Sequence, residues 1–195
     1  MADDIEFGLD VGVYGRLAQP DEVSKLALLA EDEGFHSVWL ADHVVFPSKV
    51  ASKYPYSPDG SFPVPLDEPL LEPVATMGVL VGATKRVKIG TAVLVMPYRN
   101  PILLARMLAT LDVLSKGRLT TGVGIGWMAE EIALLGGPAF KDRAPASEEY
   151  IEAFQEMWTA DKPAKHGAHV DFENMVFAPK SAQSPHPPIW VGGEV

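Results

Sequence analysis

The sequence contains no cysteine. That excludes disulfides, thiolate metal sites and a cysteine nucleophile. Basic residues are scarce: 16 lysines and arginines stand against 26 aspartates and glutamates, for a net charge of −10. Nucleic-acid binding rests on clustered cationic charge, which neither the total nor any local run supplies. The same balance disfavours docking on an anionic membrane, and no stretch is apolar enough to span a bilayer. The opening residues, MADDIEFG, are acidic and lack the apolar core of a signal peptide. The expectation is a cytoplasmic protein with neither nucleic-acid nor membrane partners.

What is present is an ordinary globular composition. Of the 195 residues, 47 % are hydrophobic and 22 % charged, and one domain is the simplest reading. "IEFGLDVGV" (5–13) is a β-type run. "PDEVSKLALLAEDEG" (20–34) carries helix signals, with Pro20 and Asp21 at its start, Gly34 past its end, and Val23, Leu26, Ala27 and Ala30 on one face. "HSVWLA" (36–41) follows as a second strand, so the three form a βαβ unit with parallel strands. A helix is predicted over 68–85, with Pro73 early enough to be tolerated. The third strand covers 86–97. Asn100 and Pro101 then open a helix that Gly117 stops. A fourth strand over 117–127, helices at 128–135 and 147–159, a small β-excursion at 169–180 and a fifth strand at 187–195 complete the order. Repeated strand–helix units give either an open doubly wound sheet or a (β/α)8 barrel.

One segment breaks the alternation. Residues 44–68 are rich in Pro, Ser and Tyr and form a long loop or lid, and loops of this length in compact domains are functional or disordered. Tyr54, Tyr56 and Phe62 favour a packed lid.

Several candidates for chemistry can be weighed from the residues alone. Gly122, Gly124 and Gly126 alternate on a late strand, with Trp127 where a dinucleotide fingerprint needs its last glycine spacing. They leave one face of the strand bare, either for a flat ring or because packing is crowded there. His166 and His169 lack further ligands, and no metal site is expected. Ser147, Thr120 and Thr121 stand near no convincing base. Asp42 and His43 differ, since they close a buried strand at its carboxyl end, where barrels and open α/β sheets alike build their sites.

Three stretches, "SVWLADH" (37–43), "KIGTAVLVMPYRNPILLARMLATLDVLSKGRLTTGVGIGW" (88–127) and "PHPPIWVGG" (185–193), resemble the luciferase-like monooxygenase superfamily. Within it they resemble the branch that uses the deazaflavin coenzyme F420. The resemblance implies a (β/α)8 barrel of the TIM type. Residues 1–195 would be one barrel domain, truncated after its fifth strand. It further implies a flavin-like ring at the carboxyl ends of the strands, with His43 as proton donor or acceptor and Asp42 as a hydrogen-bond partner of the cofactor. Gly90, Thr91, Ala92 and Val93 would back the ring, with a non-prolyl cis peptide at Ala92–Val93. Gly122 and Gly124 would let the ring lie close, and Gly192 and Gly193 would meet the cofactor's polar tail.

Sugar-phosphate dehydrogenases of this family carry an acidic glutamate directly after the GVGxG run. Here Trp127 takes that position, which argues against that activity and for an apolar wall of the substrate pocket, because an indole cannot relay the proton. The implied function is hydride transfer between reduced F420 and a small organic substrate, in a full-length homodimer. The alternatives are an FMN-dependent monooxygenase on the same barrel and a non-catalytic fragment of either.

Overall fold

A computed structural model describes residues 5–19 and 21–193. Pro20, read as a helix-start signal, and residues 194–195 of the fifth predicted strand lie outside the described residues, as do the first four residues of the acidic opening. Strand and helix alternate: β1 (Gly8–Asp10), α1 (Glu22–Asp32), β2 (Ser37–Leu40), α2 (Pro73–Ala83), β3 (Lys88–Thr91) with its continuation β4 (Leu94–Val95), α3 (Pro101–Ser115), β5 (Leu119–Gly124), α4 (Ala129–Leu134), α5 (Arg143–Thr159), the strands β6 (Lys165–His166) and β7 (Asp171–Phe172), and β8 (Ile189–Val191). β1 pairs with β2, β2 with β3, β3 and β4 with β5, and β5 with β8, every pairing parallel. Taking β3 and β4 as one strand, spatial order follows chain order. A doubly wound sheet reverses its order at a switch point; a barrel does not. The fold is therefore of the (β/α)8 barrel type, with five strand positions among the described residues. The β-excursion is the antiparallel hairpin β6–β7.

Strand alternation separates two faces. Val38, Leu40, Ile89, Leu119 and Val123 turn outward and join Ala27, Ala30, Met77, Leu80, Leu104, Leu108, Phe154 and Met157 in a core of fully or almost fully buried side chains beneath the helices. Each such leucine or phenylalanine contributes about 1.5–3 kcal/mol by leaving water. Trp39, Gly90 and Thr120 share one register level on the inner face, where Trp39 stacks on Trp190 with ring centroids 5.2 Å apart. Buried Trp158 satisfies its indole N–H on the Ala105 carbonyl, 3.1 Å away.

Local signals explain the helix ends. Asn100 Oδ1 accepts from the N–H groups of Ile102 and Leu103, with Pro101 in the first turn. At the other end Lys116 and Gly117 both take left-handed conformations and close α3. Arg118 then reaches sideways and donates to the Val81, Thr84 and Val87 carbonyls, tying the end of α2 to the start of β3. α2 begins at Pro73, later than the predicted 68, because Glu72 caps it by accepting from Ala75 N–H. α5 begins at Arg143, earlier than the predicted 147, since Pro145 falls in the first turn, where its missing N–H costs nothing. The third predicted strand is interrupted: the Ala92–Val93 peptide is cis and separates β3 from β4.

Candidate functional site at the carboxyl end of the second strand

Asp42 and His43 follow β2 by one residue, Ala41, at the carboxyl ends of the strands. Both are buried, 4 % and 5 % exposed. Their side chains part company. Asp42 points behind the strand, where Arg99 grips both its oxygens: Nη1 meets Oδ2 at 2.7 Å and Nη2 meets Oδ1 at 2.8 Å. Val95 N–H donates to Oδ2 as well, at 2.8 Å. Burial pushes the Asp42 carboxyl above its ordinary range, while the Arg99 fork and the Val95 N–H pull the other way. Both oxygens face donors, the environment of a carboxylate. Burial also works against the Arg99 charge, but contacts with Asp42 and Glu72 outweigh it and hold the guanidinium above its usual value. Asp42 was expected to hydrogen-bond a cofactor; here its two oxygens are engaged by Arg99 and Val95.

His43 turns the other way and meets α4. Its Nδ1 lies 2.5 Å from Oε2 of Glu131, a carboxylate with no exposed surface. Tyr98 Oη donates to the same oxygen at 2.7 Å. The backbone N–H groups of Val44 and Val45 donate to Oε1 at 2.7 and 3.1 Å. Burial drives the Glu131 carboxyl up, but the contacts with His43, Tyr98 and Val44 prevail and hold it below the usual glutamate range. Burial and the Glu131 charge raise the Tyr98 hydroxyl far above a normal phenol, so it stays protonated and donates.

Residues 44–68 fold over this pair. Phe46 and Phe62 set their rings 5.0 and 5.1 Å from the imidazole of His43. Trp127 stands edge-on to it at 6.2 Å. Tyr54 packs on Phe62 and on Trp127, each at 5.2 Å. Tyr56 leans on Tyr54 but remains 58 % exposed. The loop is pinned to α4: Glu130 Oε1 accepts from Ala51 and Ser52 N–H, and Ser52 Oγ accepts from Ala129 N–H. Phe46, Phe62, Trp127, Tyr14 and Tyr98 thus surround His43, with Tyr54 packed behind Phe62 and Trp127.

The other expected site residues lie along the neighbouring strands. Thr91 is buried and donates to the Gly122 carbonyl at 2.8 Å. Ala92 is exposed and Val93 half-buried at the cis peptide. The glycines answer to packing against protein atoms. A Cβ on Gly122 would collide with the Thr91 carbonyl oxygen, one on Gly90 with the Trp39 ring at 2.5 Å, and those on Gly124 and Gly192 with the Val93 methyls, each at 2.5 Å. The bare strand face is filled from within by Thr91 and Val93. Gly192 and Gly193 are exposed at the end of β8. Away from this cluster, His166 pairs with Asp171 on the surface hairpin, and Ser147 Oγ donates to the Arg143 carbonyl within α5.

The sequence reading missed Glu131 and Arg99. "MAEE" reads as two acidic residues favoured at a helix start, and Arg99 as a loop residue before an N-cap. The one available signal was a second glutamate close behind the GVGxGW run.

Residues 5–194 match the family model described as luciferase-like monooxygenase. The chain is 36 % identical over 166 residues to an uncharacterized protein of Mycobacterium tuberculosis, covering 85 % of this chain and 58 % of that protein. It is 34 % identical over 145 residues to the F420-dependent glucose-6-phosphate dehydrogenase of Amycolatopsis mediterranei, covering 73 % of this chain and 39 % of the enzyme. It is 36 % identical over 124 residues to the FMNH2-dependent dimethylsulfone monooxygenase of Pseudomonas putida, covering 63 % and 34 %. Among solved structures, an F420-dependent secondary alcohol dehydrogenase in complex with an F420–acetone adduct superposes over 96 % of this chain and 52 % of its own, with a TM-score of 0.76 at 24 % identity; that likeness concerns the fold. The chain spans little more than half the length of the mycobacterial relative and less than two-fifths of the two named enzymes. No helix among the described residues is long and apolar enough to cross a membrane. With its parallel strands in chain order, its buried Asp42–His43 pair and a family match along nearly its whole length, this chain belongs to the luciferase-like monooxygenase family.

Proposed function

We propose that this chain carries the proton-handling part of an oxidoreductase site, at which hydride passes between reduced deazaflavin F420 and a small, uncharged organic substrate. One observation carries the reading: His43 is held by Glu131 at the carboxyl end of a barrel strand, while its Nε2 has no hydrogen-bond partner among the described residues. An unpartnered ring nitrogen in an aromatic enclosure suits proton exchange with a bound substrate. The exposed Ala92 and half-buried Val93, between β3 and β4, are candidates to back a flat ring. Gly192 and Gly193 are candidates for the polar tail.

When bound, the deazaflavin supplies the hydride chemistry. The rest falls to this chain's own side chains. His43 gives or takes the proton at Nε2. Glu131 and Tyr98 orient its ring. Phe46, Tyr54, Phe62 and Trp127 keep water from the exchange. Asp42 acts from behind by fixing Arg99 and Val95. An enclosure of this kind favours an apolar ketone, alcohol or aromatic substrate over a sugar phosphate.

A second reading, an FMN-dependent monooxygenase, draws on the monooxygenase of Pseudomonas putida, whose identity to this chain is 36 %. The F420-dependent relative aligns with more of the chain, 73 % against 63 %, and for that reason the deazaflavin is preferred. Separate titrations of the purified protein with F420 and FMN, read by cofactor fluorescence and visible absorbance, decide between them. Saturable F420 binding without FMN binding supports the proposal. The reverse result transfers the site to the second reading, and binding of neither overturns both.

A further inference from the structure

We infer that Glu131 sets the tautomer of His43, holding its proton on Nδ1 and leaving Nε2 as a bare acceptor toward the aromatic enclosure. Glu131 is then a positioning residue for the proton exchange proposed above, on which this inference rests.

A neutral imidazole carries one proton, and the partner of one nitrogen decides where it sits. Here the partner's own surroundings are unambiguous. Oε1 of Glu131 receives two backbone N–H groups, from Val44 and Val45, and a backbone N–H can only donate. Oε2 receives the Tyr98 hydroxyl. A carboxyl surrounded by donors and held below the ordinary glutamate range is ionised at neutral pH and accepts only. The short contact at 2.5 Å therefore requires a proton on Nδ1, and in the neutral ring Nε2 is left bare. The same residue fixes the loop's departure from β2 through Val44 and Val45, so the ring and the segment that covers it share one anchor. A Glu–His pair of this kind works like the carboxylate of a catalytic triad, whose amide replacement installs the wrong tautomer.

Glu131→Gln makes the test sharp because it keeps the shape. The N–H groups of Val44 and Val45 demand an acceptor, so they will hold the amide oxygen at the Oε1 position. The amide nitrogen then faces Nδ1 and donates to it, which drives the ring proton to Nε2. Two-bond 15N–1H correlation spectra of histidine-labelled protein read the tautomer directly, without cofactor or substrate, at a pH where titration shows the ring neutral. The chain has five histidines, and the His43→Ala spectrum identifies the relevant signals. The expected result is Nδ1–H in the wild type and Nε2–H in Glu131→Gln. Tyr98→Phe, which removes one donor but leaves the acceptor, is expected to keep Nδ1–H.

A wild-type ring protonated on Nε2, an unchanged tautomer in Glu131→Gln, or a switch in Tyr98→Phe as well would each overturn the inference. If Glu131→Gln does not fold, the wild-type tautomer decides alone. A tautomer switch that leaves turnover intact would sustain the role of Glu131 and retire His43 from the chemistry, so the two claims fail separately.

Discussion

Arg99 and Asp42, 57 positions apart in the chain, meet as two parallel hydrogen bonds of 2.7 and 2.8 Å. The carboxylate side chain has no exposed surface and the arginine only 11 %. Geometry of this kind places the pair among the strong charge-assisted contacts. It joins the end of β2 to the turn between β4 and α3, and through Glu72 to the cap of α2. Removing Asp42 leaves Arg99 still paired with Glu72, whereas removing Arg99 leaves the buried Asp42 carboxylate with only the Val95 N–H. Arg99→Ala is expected to lower the unfolding free energy by about 3–5 kcal/mol, measured by urea denaturation. A loss below about 1 kcal/mol, the scale of an exposed ion pair, would show that the bidentate contact does not exist in solution.

His43 stands in a different position, because its free nitrogen faces the enclosure and not the scaffold. His43→Ala is expected to cut turnover by about 10² or more, the usual scale for general acid–base catalysis. Affinity for the cofactor should change little. Steady-state kinetics and a cofactor titration on the same preparation check both halves. Wild-type turnover in the variant would remove His43 from the mechanism.

Much of this arrangement was legible in the sequence, and the residues show why. Asn100–Pro101 and Gly117 announce the ends of α3 because capping is decided within one turn of the chain. Asp42 and His43 stand out because two ionisable groups at the end of the apolar run Val38–Leu40 conflict with burial unless each finds a partner. The partners were not legible. Glu131 lies 88 positions from His43 and Arg99 lies 57 from Asp42, and no local pattern links residues at such separations. The direction of each side chain was hidden as well. Neighbours on an extended chain point to opposite faces, so Asp42 joins the scaffold while His43 joins the site. The alternating glycines could be read two ways, and the structure fills their bare face with Thr91 and Val93.

Glu31 offers a test through pH. Its carboxylate, 7 % exposed, caps the start of the third strand by accepting from the N–H groups of Lys85, Arg86 and Val87. Burial raises this carboxyl, but the three N–H groups more than compensate and its pKa is lowered. A group whose pKa is lower folded than unfolded stabilises fully above the unfolded value, about 4.3 for glutamate. That stabilisation drains away as pH falls through the folded value. Glu31→Gln is therefore expected to cost about 1.5–3 kcal/mol at pH 7, the range for hydrogen bonds to a charged group. The gap between the two proteins should close in acid, below about pH 4. Paired denaturation curves across pH check this; a gap that stays constant would assign the cap no charge.

Two glycines make a prediction of opposite signs. Gly122 lies in β5, where every residue is buried, and a Cβ there would collide with the carbonyl oxygen of Thr91. That atom is backbone and is held from the far side, since Thr91 also donates to the Gly122 carbonyl. It cannot swing away as a side chain would. Gly122→Ala must push β3 and β5 apart and is expected to destabilise by about 1–3 kcal/mol, the range for overpacking a filled core. Gly82 sits inside α2, exposed, with nothing within 4 Å of its Cβ position. There the only effect of a methyl group is to restrict the unfolded chain and favour the helix. Gly82→Ala is expected to stabilise by about 0.4–1 kcal/mol. Thermal and urea unfolding of the two variants beside the wild type provide the measurement. A stable Gly122→Ala protein would mean that the close approach of Thr91 to β5 is not present, and with it would go the packing explanation for the alternating glycines.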